Sequence, residues 1–222
     1  VRNRASARLE GAGQAPAEPH LDVEVLITAY RYRDYLTGAV ASAQEALLRL
    51  AADGVRGGIV VVEDCGRDGS WPLACSLAES ASVPMRVLQP ARNIGLAAAR
   101  NLALFTSRTR SVFVLDADNR VYPDGLRRLW HTLNREQAAA TYGPIDVTDE
   151  SGERQEPLSS RPPDREWLMT RGNYIDAMAL YDAETLKRVG GWSRDLLQHC
   201  WGHEDYELWI RLLSSGHDIA FQ

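Results

Sequence analysis

The feature that most constrains this sequence of 222 residues is an alternation between short apolar runs and longer helical stretches in its first half. The apolar runs have the length of strands, and the order they give is β-α-β-α-β-α-β. Predicted strands cover residues 23–28, 59–63, 85–88 and 112–115. This alternation predicts an α/β fold with a Rossmann-like, mostly parallel sheet and helices on both faces.

A sheet of this kind also predicts where a ligand would bind. Ligands of open α/β sheets lie beyond the carboxyl ends of the strands. The segments that follow the four predicted strands are 29–33, 64–70, 90–95 and 116–120, and all of them contain polar or charged residues. We therefore expect these four segments to converge on one crevice.

Two carboxylates follow the fourth predicted strand, Asp116 and Asp118, with Ala117 between them. Because side chains alternate along an extended chain, both carboxylates are expected on the same side. Mg²⁺ and Mn²⁺ prefer oxygen ligands, and substrate phosphates and water often complete their coordination. The Asp-X-Asp spacing therefore predicts a site for a divalent cation and a diphosphate. The alternative is that these residues only form the turn before a helix that begins near residue 123.

The segments after the second and third strands carry candidates for nucleotide binding. A carboxylate at Asp64 can hydrogen-bond a nucleobase edge. Asn93 and Gly95 open an Ala-rich helix whose free N–H groups attract anions, and Arg100 lies further along that helix. The alternative for this helix is that its alanines only favour helix formation and that Arg100 is a solvated surface charge.

A second acidic pair, Glu204 and Asp205, opens the last predicted helix. Asp205 shares a helical stripe with Leu208, Trp209 and Leu212, which places it on the packed side. A carboxylate there is unfavourable unless it is paired or belongs to a site. A hydroxyl group that attacks a sugar needs such a carboxylate as its base. The alternative is a favourable interaction of a first-turn acid with the helix dipole, which fits Glu204 better.

Three tryptophans, Trp192, Trp201 and Trp209, could stack on a sugar ring. Large aromatic residues belong more often to a protein core, and burial is the favoured interpretation for each. With Glu204, the expected acceptor side of the site comprises Trp192 and Trp201.

The motifs, taken in their order along the chain, resemble glycosyltransferase family 2, whose nucleotide-binding domain has the GT-A fold. The resemblance runs from about residue 23 to residue 221. It is carried by Val-Leu-Ile-Thr-Ala-Tyr-Arg, Val-Val-Glu-Asp-Cys-Gly-Arg-Asp-Gly-Ser, Arg-Asn-Ile-Gly-Leu-Ala-Ala-Ala-Arg-Asn, Leu-Asp-Ala-Asp, Gly-Gly-Trp and Gly-His-Glu-Asp-Tyr-Glu-Leu-Trp-Ile-Arg-Leu.

The resemblance implies a role for each matching residue. The first loop of the family, residues 29–31 here, would lie against the nucleobase, and Asp64 would contact the base ring. Asn93, Gly95 and Arg100 would line the nucleoside and diphosphate. Asp116 would lie near the ribose and the metal, Asp118 would ligate the metal, and Asp205 would be the catalytic base. The nucleotide-sugar site so implied comprises Ala29, Tyr30, Arg31, Asp64, Asn93, Gly95, Arg100, Asp116 and Ala117.

The resemblance also implies a reaction. An inverting transferase of the hexosyl or N-acetylhexosaminyl type would move a sugar from a uridine, guanosine or thymidine diphosphate donor to a hydroxyl-bearing acceptor, with Mn²⁺ or Mg²⁺. The first loop and the segment Cys65-Gly66 depart from the usual family residues, so the base stays open. The alternatives are a retaining GT-A transferase and a catalytically silent module that binds a sugar or a nucleotide.

Composition excludes some partners. A net charge of -5 disfavours binding to nucleic acid. No apolar run reaches the length of about 20 residues that a membrane helix needs. The three cysteines are too scattered for a disulfide framework. We therefore expect a cytoplasmic protein without a membrane segment in this chain, any peripheral membrane association depending on regions outside it.

The chain is expected to contain one folded domain. Residues 1–20 have no hydrophobic period and are predicted to be a disordered tail. Residues 21–222 would form a single GT-A domain, with a nucleotide-binding half at about 21–120 and an acceptor-side half at about 121–222. Residues 146–165 show no periodicity and are predicted to be a loop. The chain is also expected to be part of a longer protein.

Overall fold

The computed structural model describes residues 20–148, 153–155, 161–193 and 204–222. Within these ranges the chain forms seven strands and seven helices. In chain order they are β1 (Val23–Ala29), α1 (Arg33–Ala51), β2 (Gly57–Glu63), α2 (Ser70–Glu79), β3 (Met85–Leu88), α3 (Leu96–Thr106), β4 (Ser111–Asp116), α4 (Gly125–Glu136), β5 (Ala140–Tyr142), α5 (Arg165–Thr170), β6 (Leu180–Asp182), α6 (Ala183–Arg188), α7 (Glu204–Ser214) and β7 (Ile219–Phe221).

The seven strands form one sheet in the order β3-β2-β1-β4-β6-β5-β7. The pairs β1–β2, β1–β4, β2–β3 and β5–β7 are parallel, whereas β6 is antiparallel to both β4 and β5. Strand β6 alone therefore runs against the others, which confirms the predicted mostly parallel α/β sheet. The strand order reverses at β1, with β2 on one side and β4 on the other, and a crevice opens at such a point.

Alternate residues of the central strands pack on opposite faces of the sheet. One face buries Val25, Ile27, Ile59, Val61, Phe113 and Leu115 against α1 and α4. The other face buries Leu26, Val60, Val62, Val112 and Val114 against α3, α6 and α7. Burial on both faces explains why these strands are continuous apolar runs rather than alternating patterns.

Strands β5 and β6, in the second half of the sheet, were not predicted, whereas the end of the chain near residue 222 has the pattern of a strand, which is β7. Strands β5, β6 and β7 contain three residues each, which is too short to show a period of two. Of the predicted tail, residues 1–19 lie outside the described residues, and so do 149–152 and 156–160 of the predicted loop. The division of the chain into a nucleotide-binding half and an acceptor-side half stays a prediction.

A contact between two of the sequence motifs fixes the segment after α6 against α3. The Asn101 side chain donates to the carbonyl oxygen of Trp192 at 2.7 Å and accepts from the backbone N–H of Trp192 at 2.9 Å. Gly191 precedes that tryptophan with φ of 68°, and a Cβ there would lie 2.2 Å from the Asn101 side-chain oxygen. Gly191 is therefore required by its backbone conformation and by the space that Asn101 occupies.

Replacing Gly191 by alanine should destabilise the fold. We expect the free energy of unfolding to fall by about 2–4 kcal/mol, since left-handed strain combines with loss of the Asn101 hydrogen bonds. Gly190→Ala is the matched control, because Gly190 also has positive φ (92°) but no atom within 4 Å of its would-be Cβ. Urea unfolding of both variants measures the difference, and equal losses would contradict the packing role of Gly191.

Candidate active site

The predicted crevice lies at the carboxyl ends of β1, β2 and β4. These ends are level, because Thr28 pairs with Asp116 on one side and Val62 on the other. The crevice has two parts. One is a cavity beside β2 and β3, and the other is a charged cluster beside β4 and α7, formed by Arg100, Asp116 and Glu204. The segments after the strands do contact one another, since Arg33 bonds Asp68 and Cys65 bonds Pro90. Their predicted convergence is therefore confirmed as a matter of position.

The cavity has a volume of about 660 Å³, which is in the size range of small-molecule sites. Its lining includes Tyr30, Arg31, Glu63, Trp71, Gln89 and Asn93. Arg31 has φ of 63°, and Cys65 and Arg67, which also line the cavity, have φ of 59° and 57°. Non-glycine residues rarely adopt positive φ, and such strain is concentrated at functional sites.

Asp64 is hydrogen-bonded to two other predicted nucleotide-binding residues, Asn93 and Gly95. Its carboxylate accepts from the backbone N–H groups of Ile94 and Gly95, both at 2.8 Å, and from the Asn93 amide at 3.0 Å. Asp64 is 3% exposed, and the lining of the cavity does not include it. In this structure the carboxylate fixes the turn that leads into α3, and its contact with a base stays a prediction.

Glu63 lines the cavity; its place at the end of a buried strand predicts a carboxylate at the crevice edge, but the sequence indicates no specific role for it. Its carboxylate accepts from the Gly66 N–H at 2.6 Å, from the Cys65 N–H at 3.3 Å and from the Gln89 amide at 2.6 Å. The position of Glu63 directly before Asp64 indicates that its carboxylate points to the other side of the strand end, because consecutive residues there point to opposite sides. Of this pair, only Asp64 has a predicted contact with the base.

Arg100 forms the centre of the charged cluster. It is 1% exposed, and its two terminal nitrogens donate to Asp116 at 2.7 Å and to Glu204 at 2.8 Å. Burial alone would lower the pKa of Arg100, but the charges of Asp116 and Glu204 raise it above its ordinary value. The alternative of a solvated surface charge is therefore wrong. The predicted phosphate contact stays a prediction, and both terminal nitrogens already donate to carboxylates.

Trp192 does not offer a face to a sugar. It is 1% exposed and packs edge-on against Tyr181, with ring centroids 5.8 Å apart. The favoured core interpretation is therefore correct for Trp192, and also for Trp209, which is 0% exposed, so Trp192 is not an acceptor-side stacking residue. The Asn101 hydrogen bonds hold the Trp192 segment inside the fold. Trp201, the other predicted stacking residue, lies outside the described residues.

The Asp-X-Asp segment presents its two carboxylates differently. Asp116 is partly exposed and bonded to Arg100, Ala117 is buried, and Asp118 is exposed. Tyr32 follows the first loop and lies near these carboxylates. The charge of Asp118, burial and the charge of Asp116 therefore raise the pKa of Tyr32 above its ordinary value.

Asp176 lies near the same pair and was not predicted. Burial raises the pKa of Asp176 above its ordinary value, and the charges of Asp116 and Asp118 add to the shift. Asp176 belongs to the irregular segment between α5 and β6, where no pattern in the sequence marks it.

The acidic pair fits a divalent cation whose coordination is completed by a substrate. Asp116 and Asp118 supply oxygen ligands, as Mg²⁺ and Mn²⁺ prefer. Across the described ranges, no group of three or more His, Cys, Asp or Glu side chains is arranged to hold a metal ion.

Asp205 lies in the first turn of α7, next to the ion pair of Glu204 with Arg100. One carboxylate oxygen accepts from the Asn173 amide at 3.0 Å and the other from the Tyr206 N–H at 2.8 Å. Burial raises the pKa of Asp205, and the charge of Glu204 adds to the shift. A carboxylate with a raised pKa beside an acidic cluster has the character of a general base.

Asn173 has a fixed orientation, because its side-chain oxygen accepts from the Ile175 N–H at 3.1 Å while its amide donates to Asp205. Removing this donor in Asn173→Ala should raise the pKa of Asp205 further, since the hydrogen bond favours the charged carboxylate. A base must be deprotonated, so the acid limb of the profile of kcat/KM against pH should move upward, by roughly 0.5–1 pH unit.

The pH profile of a sugar-transfer assay measures this shift. Asn134→Ala is the matched control, since the Asn134 amide donates to the carbonyl oxygen of Trp130 on α4. A profile of Asn173→Ala that keeps its midpoint would contradict the contact with a catalytic base.

The sheet order and the crevice at the carboxyl ends of the strands define an α/β domain of the GT-A type. The family model described as Glycosyl transferase family 2 matches residues 24–190, and the chain belongs to that family.

Two curated relatives come from Rhizobium meliloti (strain 1021). The succinoglycan biosynthesis protein ExoO is 29% identical over 163 residues, which cover 73% of this chain and 44% of ExoO. The succinoglycan biosynthesis protein ExoU is 29% identical over 219 residues, which cover 88% of this chain and 58% of ExoU. The chain thus spans about half the length of the curated relatives it matches.

Solved structures share the fold at low sequence identity. S. aureus TarS 1-349 has a TM-score of 0.70 at 15% identity, with 91% of this chain and 58% of that chain covered. The mannosyltransferase PcManGT from Pyrobaculum calidifontis, in complex with GDP-Man and Mn²⁺, has a TM-score of 0.67 at 19% identity, covering 91% of this chain and 55% of that one. In the part of the chain that the structure describes, no helix has the length and apolar character needed to cross a membrane.

Proposed function

We propose that this chain is the catalytic domain of an inverting glycosyltransferase that moves a sugar from a nucleoside diphosphate sugar to a hydroxyl-bearing acceptor. One observation carries the proposal. Arg100 connects Asp116, at the end of a central strand, to Glu204, the neighbour of Asp205, so a candidate diphosphate site and a candidate base lie in one charged cluster. The cavity lined by the segments after β1, β2 and β3 has room for a nucleoside.

The donor is proposed to be a uridine, guanosine or thymidine diphosphate sugar. Structures similar in fold support this class, since TarS has been solved in complex with UDP-GlcNAc and PcManGT in complex with GDP-Man and Mn²⁺. The nucleoside would occupy the cavity, and the diphosphate would extend towards Asp116 and Asp118. The sugar would then lie between these carboxylates and Asp205.

A divalent cation would be held by Asp118 and Asp116, and it would offset the charge that develops on the leaving diphosphate. Asp205 would take the proton of the acceptor hydroxyl as its oxygen bonds to the anomeric carbon. The bond from that carbon to the diphosphate oxygen breaks in the same step, so the sugar is transferred with inversion. Asn173 and the backbone N–H of Tyr206 keep the Asp205 carboxylate oriented for this step.

The acceptor side is proposed to comprise Glu204 and Trp201, in addition to Asp205. Glu204 contributes through its ion pair with Arg100, which fixes the start of α7. Trp201 keeps its predicted role of stacking on a sugar, although it lies outside the described residues. The cytoplasmic location also stays a prediction.

Calorimetry tests the donor site. Uridine, guanosine and thymidine diphosphates are titrated into the protein with Mn²⁺ and again with chelator. We expect one of them to bind in a metal-dependent manner, and the matching sugar nucleotides then enter a transfer assay. Analysis of the anomeric configuration of the product distinguishes inversion from retention. Failure of all three nucleotides to bind would contradict the proposed function.

A further inference from the structure

We propose that Gln89 selects the nucleobase, through a side-chain carbonyl oxygen that Glu63 orients so that it accepts a hydrogen bond from a ring N–H of the base. The inference rests on the proposed function and deepens it. It names the base chemistry that the cavity recognises: uracil and thymine carry such a hydrogen on N3 and guanine on N1, whereas N3 of cytosine and N1 of adenine carry a lone pair.

The first step concerns Glu63, whose side chain is 1% exposed and therefore depends on internal partners. The backbone N–H groups of Gly66 and Cys65 donate to it at 2.6 Å and 3.3 Å. Both donors belong to the loop directly after β2, so the carboxylate is held in place by backbone. Glu63 is consequently a fixed acceptor at the wall of the cavity.

The second step concerns the orientation of Gln89. A side-chain amide has a donor end and an acceptor end, whereas an ionised carboxylate only accepts. The amide nitrogen of Gln89 lies 2.6 Å from the Glu63 carboxylate, so the nitrogen end must face Glu63. A rotation of the amide by half a turn would place two acceptors against each other. The carbonyl end of Gln89 is thereby left to accept a hydrogen bond from a ligand in the cavity that it lines.

The third step concerns the other acceptor near this wall, Asp64. Its two oxygens already accept from Ile94, Gly95 and Asn93, and the residue is 3% exposed. Gln89, in contrast, directly follows β3 and is exposed. Of these two residues, Gln89 is therefore the more accessible acceptor.

The remaining walls fit a planar, uncharged ring. Tyr30 and Trp71 line the same cavity, and the Arg31 guanidinium lies 5.1 Å from the centre of the Tyr30 ring. Aromatic and guanidinium groups bind the faces of bases without distinguishing them. Discrimination between bases therefore has to come from a group that contacts the base edge, as Gln89 is placed to do.

The experiment compares a nucleotide with its methylated analogue. Titrations with Mn²⁺ present use UDP, N3-methyl-UDP, GDP, N1-methyl-GDP and CDP, against wild type and Gln89→Ala. We expect methylation of the ring nitrogen to weaken binding to wild type by about 10–100-fold, since it removes the donor and leaves the carbonyl without a partner. In Gln89→Ala the same methylation should change the affinity by less than about 3-fold, below the effect of one hydrogen bond.

Two further variants test the orientation and the specificity of the effect. Glu63→Gln should reduce the penalty of methylation, because its amide no longer forces the nitrogen of Gln89 towards it. Gln44→Leu is the control, since the Gln44 side chain bonds Ser82 outside the cavity, and it should keep the full penalty. Circular dichroism checks that each variant is folded.

The outcomes separate this inference from the proposed function. If no nucleotide binds to wild type, the donor-site proposal fails and the inference fails with it. If UDP or GDP binds but its methylated analogue binds equally well, Gln89 is not the reader of the base and the donor site stands. The same conclusion follows if CDP binds as tightly as UDP and GDP, or if Gln89→Ala keeps the full penalty of methylation.

Discussion

Asp205→Asn should reduce sugar transfer by about 1,000-fold while donor binding stays within about 2-fold of wild type, since general-base catalysis contributes up to four orders of magnitude. Asparagine keeps the shape of the side chain and can still bond the Tyr206 N–H, so the loss would come from the missing base. Transfer rates under saturating donor and acceptor, with nucleotide titrations in parallel, separate the two effects.

Glu184→Gln is the control for this variant. It also replaces a carboxylate by an amide, but Glu184 is an exposed residue of α6 that pairs with Arg188. The control should transfer sugar at the wild-type rate. If Asp205→Asn retained a similar rate, Asp205 would not be the base. Glu204 would then be the next carboxylate to test, because it lies beside Asp205 at the start of the same helix.

Asp118→Ala should abolish metal-dependent donor binding, with an affinity at least about 100-fold lower in Mn²⁺, because a bound metal supplies several kcal/mol of charge stabilisation. Asp118 is exposed, whereas one oxygen of Asp116 is already bonded to Arg100. Addition of chelator to wild type should have the same effect, since a diphosphate would then meet the negative charges of Asp118 and Asp176 without a cation to offset them.

Calorimetry with and without chelator measures this loss. Asp124→Ala is the matched control, because Asp124 is an exposed aspartate shortly after Asp118 whose side chain does not cap α4. The control should bind the donor as wild type does. Equal binding by Asp118→Ala in Mn²⁺ and in chelator, at wild-type affinity, would show that donor binding does not use this carboxylate.

The sequence predicted the central sheet well because that part of the fold depends on local patterns. Strand β3 was predicted with its observed bounds, and the helical stripe of Leu208, Trp209 and Leu212 is buried as expected. Continuous apolar runs indicate burial on both faces of a parallel sheet, and that property can be read without knowing the neighbours. The place of the crevice followed from the sheet.

The environment of the site could not be predicted in the same way, because it depends on contacts between distant residues. Arg100 was weighed as a surface charge, yet its partners Asp116 and Glu204 lie 16 and 104 positions along the chain. Asn173 and Asp176 come from a segment without periodicity, and only the packing of that segment places them by the acidic residues. Contacts between residues that lie so far apart in the sequence are decided by the whole fold rather than by local propensity.

The position of Arg100 also has a thermodynamic consequence. One guanidinium serves as counter-charge to two carboxylates, Asp116 on the strand side and Glu204 on the helix side. A cation that approaches Asp116 competes with Arg100 for that carboxylate and changes how firmly the arginine holds Glu204. Binding free energies linked in this way are reciprocal: if a cation at Asp116 changed the affinity of a ligand at Glu204 by some factor, that ligand would change the affinity of the cation by the same factor. In the proposed reaction, Arg100 would therefore couple binding on the donor side at Asp116 to binding on the acceptor side at Glu204 before transfer begins.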